Sequence, residues 1–304
     1  MKIKGLFLLI ILLLTFSVQS DTTVYGKLFV TLESQEMITG TELNIENNAS
    51  RLGIKGNIEL KRELEFIYQA EYEIDPVDGT ADESNGRTFK QRNTFIGFKG
   101  SLGTLFLGTH DTAFRKSQDK IDLFNDLASD IKNILEGENR LSELVGFTTP
   151  VFGKNFSATF NVIKEKDGLG DASSFSLKYR TSNIYAAVAL DSKVEGYDSY
   201  RVSFQVPLNK AKLGLMLQTS KEVNTGNKEE GYVVSLSRKV TNKGTIKLQL
   251  TESDLKPVSG KQATFGFDQE LSKKAKIFIF YTDLSSPMVE KERNVTAVGF
   301  EFKF

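Results

Sequence analysis

Apolar and polar residues alternate along this chain from Val24 to its last residue. The alternation has a period of two, which is typical of β-strands with one apolar and one polar face rather than of helices. We count sixteen such segments, each of about seven to eleven residues. They lie near residues 23–33, 48–60, 63–74, 91–101, 103–110, 143–149, 156–164, 172–181, 183–191, 198–206, 211–220, 230–240, 244–253, 262–271, 274–283 and 294–304.

The connections between these predicted strands alternate between short and long. The short ones lie at or near 61–62, 103, 150–155, 181–182, 207–210, 241–243 and 271–273. The long, polar ones lie at 34–47, 75–90, 111–142, 165–171, 192–197, 221–229, 254–261 and 284–293. A meander with its tight turns at one end and its long loops at the other has the arrangement of an outer-membrane β-barrel, and a Greek-key sandwich would not produce it.

The faces of single segments indicate what the sheet encloses. In the second segment, one face carries apolar residues and the other carries charged or polar ones, namely Leu52, Ile54, Ile58 and Leu60 against Arg51, Lys55, Asn57 and Glu59. In a soluble sandwich the apolar face would be the core, but sixteen strands in meander order close most naturally around a wide aqueous lumen. The predicted fold is therefore all-β, a 16-stranded antiparallel transmembrane β-barrel in which the apolar faces contact the lipid bilayer.

The first twenty residues have the pattern of a cleaved secretory signal peptide. Two lysines precede an apolar run from Leu6 to Leu14, and small residues precede Asp21. We expect cleavage after Ser20, which leaves residues 21–304 as a single barrel domain exported to the outer membrane. Lys+Arg and Asp+Glu each number 39, so removing Lys2 and Lys4 leaves a net charge of about −2 and gives no reason to expect a nucleic-acid partner. The chain has no cysteine, so we expect no disulfide.

Several short motifs resemble those of the general Gram-negative porins. The motifs are Val24-Tyr25-Gly26-Lys27, Ser50 to Gly56, Arg92 to Gly100 continuing into Gly103 to Gly108, and Val298 to Phe304. The resemblance covers the whole chain after residue 20. It implies a sixteen-stranded barrel, usually a homotrimer, that passes ions and small hydrophilic solutes by passive diffusion and has its third long loop folded into the pore.

The third long loop, residues 111–142, is the place where the period changes. Apolar residues recur there at helical spacing, at Ile121, Phe124, Ala128, Ile131 and Leu135. We expect a partly helical segment that narrows the lumen and presents acids to the barrel wall, namely Asp122, Asp126 and Asp130. The loop lacks a Pro-Glu-Phe-Gly-type tip, so the sequence leaves open which of these acids face the wall.

The resemblance also implies a basic cluster on the wall, at Lys27, Arg51, Arg92 and Arg140. Alternation independently places Arg51 and Lys55 on the polar face. Opposed charges across a constriction would sort solutes by charge and size. The alternative is that these are ordinary solvated charges of the lumen, and the sequence does not decide between cation and anion preference. The final Phe304 resembles the signal that barrel-assembly machinery recognises, or is simply a lipid-facing residue.

The sequence gives little support for a catalytic or metal-binding function. His110 is the only histidine, and the chain contains no Gly-x-Ser-x-Gly or His-Glu-x-x-His motif. We therefore expect no enzyme activity, no cofactor and no metal. The remaining alternatives to a diffusion channel are a substrate-specific or gated channel, a barrel adhesin and a soluble periplasmic all-β protein.

Overall fold

The computed structural model describes residues 20–61, 63–82, 84–164, 170–254, 260–286 and 292–304. Almost the whole of this part is β-structure. The strands are β1 Ser20–Met37, β2 Gly40–Asn47, β3 Arg51–Lys61, β4 Leu64–Ile74, β5 Phe89–Gly100, β6 Gly103–Asp111, β7 Arg140–Thr148, β8 Phe156–Ile163, β9 Ala172–Arg180, β10 Tyr185–Val194, β11 Tyr197–Leu208, β12 Ala211–Glu222, β13 Lys228–Lys239, β14 Gly244–Ser253, β15 Lys261–Glu270, β16 Ala275–Ser285 and β17 Arg293–Lys303.

The strands form one closed antiparallel sheet. β1 pairs with β17 from Lys27 opposite Lys303 to Met37 opposite Arg293, and this pairing closes the barrel. β2 and β3 both pair with β1, β2 along its second half and β3 along its first. They are two pieces of one barrel strand with a kink between them, so the predicted sixteen-stranded barrel is confirmed.

The barrel carries its apolar residues outside and its polar residues inside. Large apolar side chains such as Leu52, Ile54 and Phe300 are exposed on the outer surface. Wall residues that face inward, such as Ser199, Arg201 and Gln249, are buried although they are polar. Exposing so large an apolar surface to water is unfavourable, whereas contact with the hydrocarbon of a lipid bilayer is favourable. No helix in the described part of the chain is long and apolar enough to cross a membrane.

Two of the connections predicted as long loops are tight hairpins. β1 and β2 pair as far as Met37 opposite Gly40, so the expected loop at 34–47 is mostly strand. The expected loop at 192–197 is a two-residue turn at Glu195 and Gly196, where both residues have positive φ, 50° and 82°, as a hairpin turn of this length requires. The strand signal is weak in these segments because few apolar residues alternate there: only Leu43 and Ile45 do so between residues 39 and 47.

The partly helical segment expected in the third long loop takes the form of short 3-10 helices, and in the part of it that the structure describes no single helix follows the spacing from Ile121 to Leu135. That loop contains only two short 3-10 helices, Arg115–Gln118 and Ile131–Asn133, within its described residues. Asp119 and Asp126 have φ of 53° and 70°, which no right-handed helix accommodates. Asp122 and Asp130 accept hydrogen bonds from the backbone N–H groups of Phe124 and Lys132, and such local bonds compete with helix formation.

Candidate functional site

The connection between β6 and β7, residues 112–139, lies inside the barrel, and we call it the lumen loop. Its backbone forms hydrogen bonds with inward-facing side chains around a large part of the wall. The wall residues concerned are Asn161 of β8, Ser174 of β9, Tyr185 of β10, Gln205 of β11, Gln218 of β12, Lys247 of β14 and Gln262 of β15. The loop is therefore held across the lumen rather than projecting freely.

One side of the lumen loop packs against the wall through apolar contacts. Ile121, Ile131 and Leu135 are completely buried with Met216 of β12 and Val233 of β13. A second cluster brings Phe124 and Leu127 of the loop against Phe29, Phe278, Phe280, Val295 and Ala297 of the wall. The apolar residues predicted to form one face of a helix are therefore all directed at the wall but divide between two clusters, with Phe124 and Ala128 in the second.

The strongest polar anchor of the loop is Arg201 of β11. Its guanidinium forms an ion pair of 2.8 Å with Glu138 and donates to Gln218 Oε1 at 2.7 Å. It also donates to the backbone carbonyls of Phe114 and Glu136. Burial raises the pKa of Glu138, and the charge of Arg201 opposes that rise.

Asp126 joins the loop to the basic wall. Its carboxylate accepts from Lys27 Nζ at 3.0 Å and from Arg51 Nη2 at 2.8 Å, and it lies 4.0 Å from Arg92 Nη2. Burial acts to raise the pKa of Asp126, but the three basic groups outweigh it and hold this pKa well below its usual range. Asp126 is therefore an anion that ties three strands to the loop.

The other two predicted acids point elsewhere. Asp122 is buried within the loop, where it accepts from Phe124 N and from Gln249 Nε2 of β14. Burial, together with the negative charge of Asp130, raises the pKa of Asp122 to about 8. Asp130 is buried as well and accepts from the backbone N–H groups of Asp126 and Lys132. Both side chains organise the loop, and neither lines the opening described next.

A charged opening remains between the loop and the wall formed by β3 to β7. Its volume is about 370 Å³. From the wall it is lined by Arg51, Glu71, Arg92, Asn93, Asp111 and Arg140, and from the loop by Arg115, Lys116, Gln118, Asp119 and Asn125. We call these eleven residues the charged opening.

Ion pairs fix most of the charges of this opening. Arg92 pairs with Glu71 at 3.0 Å and with Glu73 at 2.8 Å. Asp111 pairs with Arg140 at 2.9 Å and with Arg115 at 3.4 Å. The lining contains five basic and three acidic residues, so its net charge is +2. The opening therefore has a positive local field.

The structure brings most of the predicted basic residues together. Arg51, Arg92 and Arg140 line the charged opening, and Lys27 lies next to it through Asp126. Lys55 lies apart, in a separate cavity of about 320 Å³, where its ammonium is 5.2 Å from the ring of Tyr25.

Sequence analysis did not single out Arg115, Lys116, Glu71 or Asp111 as residues of the site. Glu71 lies on the polar face that alternation predicts for β4, so the pattern contained a signal for it. Arg115 and Lys116 lie at the start of the lumen loop, where no periodic pattern shows which side chains face the opening.

Comparisons with known proteins agree with this architecture. A family model described as Gram-negative porin matches residues 10–286. A curated relative, the major outer membrane protein P.IB of Neisseria sicca, is 27% identical over 171 residues, which cover 51% of this chain and 45% of the relative. The matched region thus spans less than half of that relative's length.

Two solved structures have the same fold at low sequence identity. The anion-selective porin from Comamonas acidovorans is 21% identical, with a TM-score of 0.80 over 94% of this chain and 100% of that chain. The trimer form of OmpT from Vibrio cholerae is 12% identical, with a TM-score of 0.67 over 94% of this chain and 99% of that chain.

Proposed function

This chain belongs to the Gram-negative porin family, and we propose that it forms a water-filled channel through which ions and small hydrophilic solutes diffuse across the outer membrane. The family consists of channels, so the expectation that the chain is not an enzyme is confirmed at the level of the family. The curated relative is an outer membrane protein by name, and the apolar outer surface of the barrel suits that location.

The charged opening is the observation that carries this proposal. It is the space left between the lumen loop and one half of the wall, and its lining is polar or charged throughout. The ion pairs hold the side chains in fixed positions, so the opening has a defined width. Solutes would pass down their gradients, and the opening would sort them by size and by charge.

We infer an anion preference from the charges of the opening. Five basic residues against three acidic ones give a positive local field, and low-dielectric walls strengthen such a field. Asp126 does not reverse it, because Lys27, which like Asp126 lies outside the lining, pairs with it at 3.0 Å and balances its charge. The similar barrel from Comamonas acidovorans is by name anion-selective, in agreement with this inference.

Assembly is part of the same proposal. We infer that residues 1–20 are removed as a signal peptide, most of which lies outside the described residues. Phe304 would then serve as the recognition signal for barrel-assembly machinery. Its ring stacks on Phe302 at 6.0 Å between centroids, at the end of the strand that closes the barrel. A homotrimer in the lipid bilayer is supported by the trimer form of the similar OmpT.

The channel is tested by adding the detergent-purified protein to a planar lipid bilayer and recording the current. Stepwise ohmic increases in current, grouped in threes, are expected for a trimeric channel. A folded protein that inserts but carries no current would overturn the proposal and favour the adhesin alternative. Folding is checked independently by the change in gel mobility after boiling.

A further inference from the structure

Lys116 of the lumen loop and Lys178 of β9 lack an acidic partner. Among the described residues, no carboxylate lies within ion-pair distance of either ammonium group. Each of the arginines in the charged opening has such a partner. An unpaired ammonium in a confined lumen attracts a free anion more strongly than a paired one does.

The loop backbone is fixed against β9 and β10 on both sides of Lys116. The N–H of Phe114 donates to Ser174 Oγ at 2.9 Å, and Tyr185 Oη donates to the carbonyl of Ser117 at 2.7 Å. Three residues after Lys116, Asp119 accepts from Arg180 Nη2 at 2.7 Å. Lys116 therefore has a defined place beside β9 although its side chain is exposed to the lumen.

Lys178 faces the same space. The side chains of Ser174 and Arg180 of β9 both form hydrogen bonds with the lumen loop. Because side chains alternate between the two faces of a strand, the even-numbered residues of β9 point inward. Lys178 lies between them on the same face. The positive charges of Lys116 and Arg180 act on Lys178, and the negative charge of Asp119 opposes them.

The charges of this group do not cancel. Lys116, Lys178 and Arg180 contribute three positive charges, and Asp119, which pairs with Arg180, contributes one negative charge. Burial lowers the pKa of Lys116, and the negative charge of Asp111 opposes that shift. A bound anion would offset the positive charges of Lys116 and Arg180 that act on Lys178. Ammonium and guanidinium groups together offer several N–H donors, which match the oxygens of a divalent oxyanion.

We propose that Lys116, Lys178 and Arg180 form a binding site for a small divalent oxyanion of the phosphate type, at the short-turn end of the charged opening. This inference rests on the proposed channel function and names the solute class that the channel would concentrate. Binding must be weak for the solute to leave again. The site would raise the local concentration of oxyanions on the way through the channel.

The test is the effect of inorganic phosphate on the chloride current through single channels at constant ionic strength. Phosphate is expected to reduce the chloride current in a saturable way. Lys116→Gln and Lys178→Gln are each expected to raise the half-effective phosphate concentration by about fivefold, the effect of one nearby charge in water. Lys178→Arg keeps the positive charge, so its half-effective phosphate concentration is expected to stay close to that of wild type.

Lys120→Gln is the matched control, because Lys120 is exposed on the same loop and lies outside the proposed site. It should leave the phosphate effect unchanged. A phosphate effect that is absent, or that is equal in wild type and in both lysine-to-glutamine variants, would overturn the site. If wild type carries no current at all, the channel function fails instead, so the two failures are distinguishable.

Discussion

Arg201 of β11 and Glu138 of the lumen loop form an ion pair with 2.8 Å between Nη1 and Oε1, and both side chains are almost completely buried. The pair fixes the end of the loop against the wall opposite the charged opening. The width of the opening therefore depends on contacts that lie outside it. A loop that spans a lumen must be held at such points to keep the passage open and constant.

We predict that Arg201→Met loosens the loop. Removing Arg201 leaves the buried carboxylate of Glu138 with Arg115 at 3.7 Å and Gln118 at 2.8 Å as its remaining partners. The loss should therefore stay below about 3–5 kcal/mol, the cost of a fully uncompensated buried charge. Single-channel recordings are expected to show more open-channel noise and a wider spread of conductance. The double variant Arg201→Met with Glu138→Gln removes both charges, and its open-channel noise should be lower than that of Arg201→Met. A noise level equal to that of wild type would show that the pair does not position the loop.

Asp126→Asn is predicted to strengthen anion selectivity. The substitution frees Lys27 and Arg51 from their shared carboxylate and adds one positive charge beside the opening. A charge at this distance changes the ratio of anion to cation permeability by about fivefold in water. The reversal potential in a salt gradient measures this ratio. Asp75→Asn, in the exposed connection between β4 and β5, is a control that should not change it.

The pKa of Asp122 predicts a pH dependence of stability. Burial raises this pKa from 3.8 to about 8, so between these values the folded protein holds a proton that the unfolded chain has lost. Stability therefore falls as the pH rises from about 4 to about 8 and levels off above, at about 1 kcal/mol per pH unit at most. Asp122→Asn resembles the protonated form and should remove this part of the slope.

Urea unfolding of the detergent-solubilised barrel at several pH values measures this slope. The quantity to compare is the difference in unfolding free energy between wild type and Asp122→Asn, because groups that do not interact with Asp122 titrate equally in both. A difference that stays constant from pH 4 to pH 8 would contradict a raised pKa at Asp122.

Gly26 and Phe304 lead to a prediction about closure of the barrel. A side chain at Gly26 would overlap the ring of Phe304, and the backbones of these two residues exchange hydrogen bonds at 3.1 and 3.2 Å. Gly26→Ala is therefore expected to displace Phe304 and to lower the yield of folded barrel in the outer membrane. Gly40→Ala, with nothing near the added atom, is the comparison, although its positive φ of 135° adds backbone strain of its own. Equal yields of wild type and Gly26→Ala would argue against a tight contact.

Period-two alternation was sufficient to predict the barrel and the inward direction of Arg51, because each wall residue faces either lipid or lumen. It failed where few apolar residues alternate, as between Ser34 and Asn47, where Leu43 and Ile45 are the only alternating pair of the second half. It could not give the course of the lumen loop, because that course depends on distant wall side chains such as Arg201 and Gln218. The loop acids Asp122 and Asp126 have the same residue type but opposite surroundings, which spacing alone does not reveal.

Solutes are expected to pass through the charged opening, and the absence of cysteine from the chain permits a direct measurement of this passage. Asn125→Cys places one thiol in the opening, and Ser235→Cys places one in the buried wall of β13 behind the loop. A negatively charged methanethiosulfonate reagent, added during a bilayer recording, is expected to reduce the current stepwise in the Asn125→Cys channel and to leave the Ser235→Cys channel unchanged. A full current through Asn125→Cys channels that mass spectrometry shows to be modified would contradict the claim.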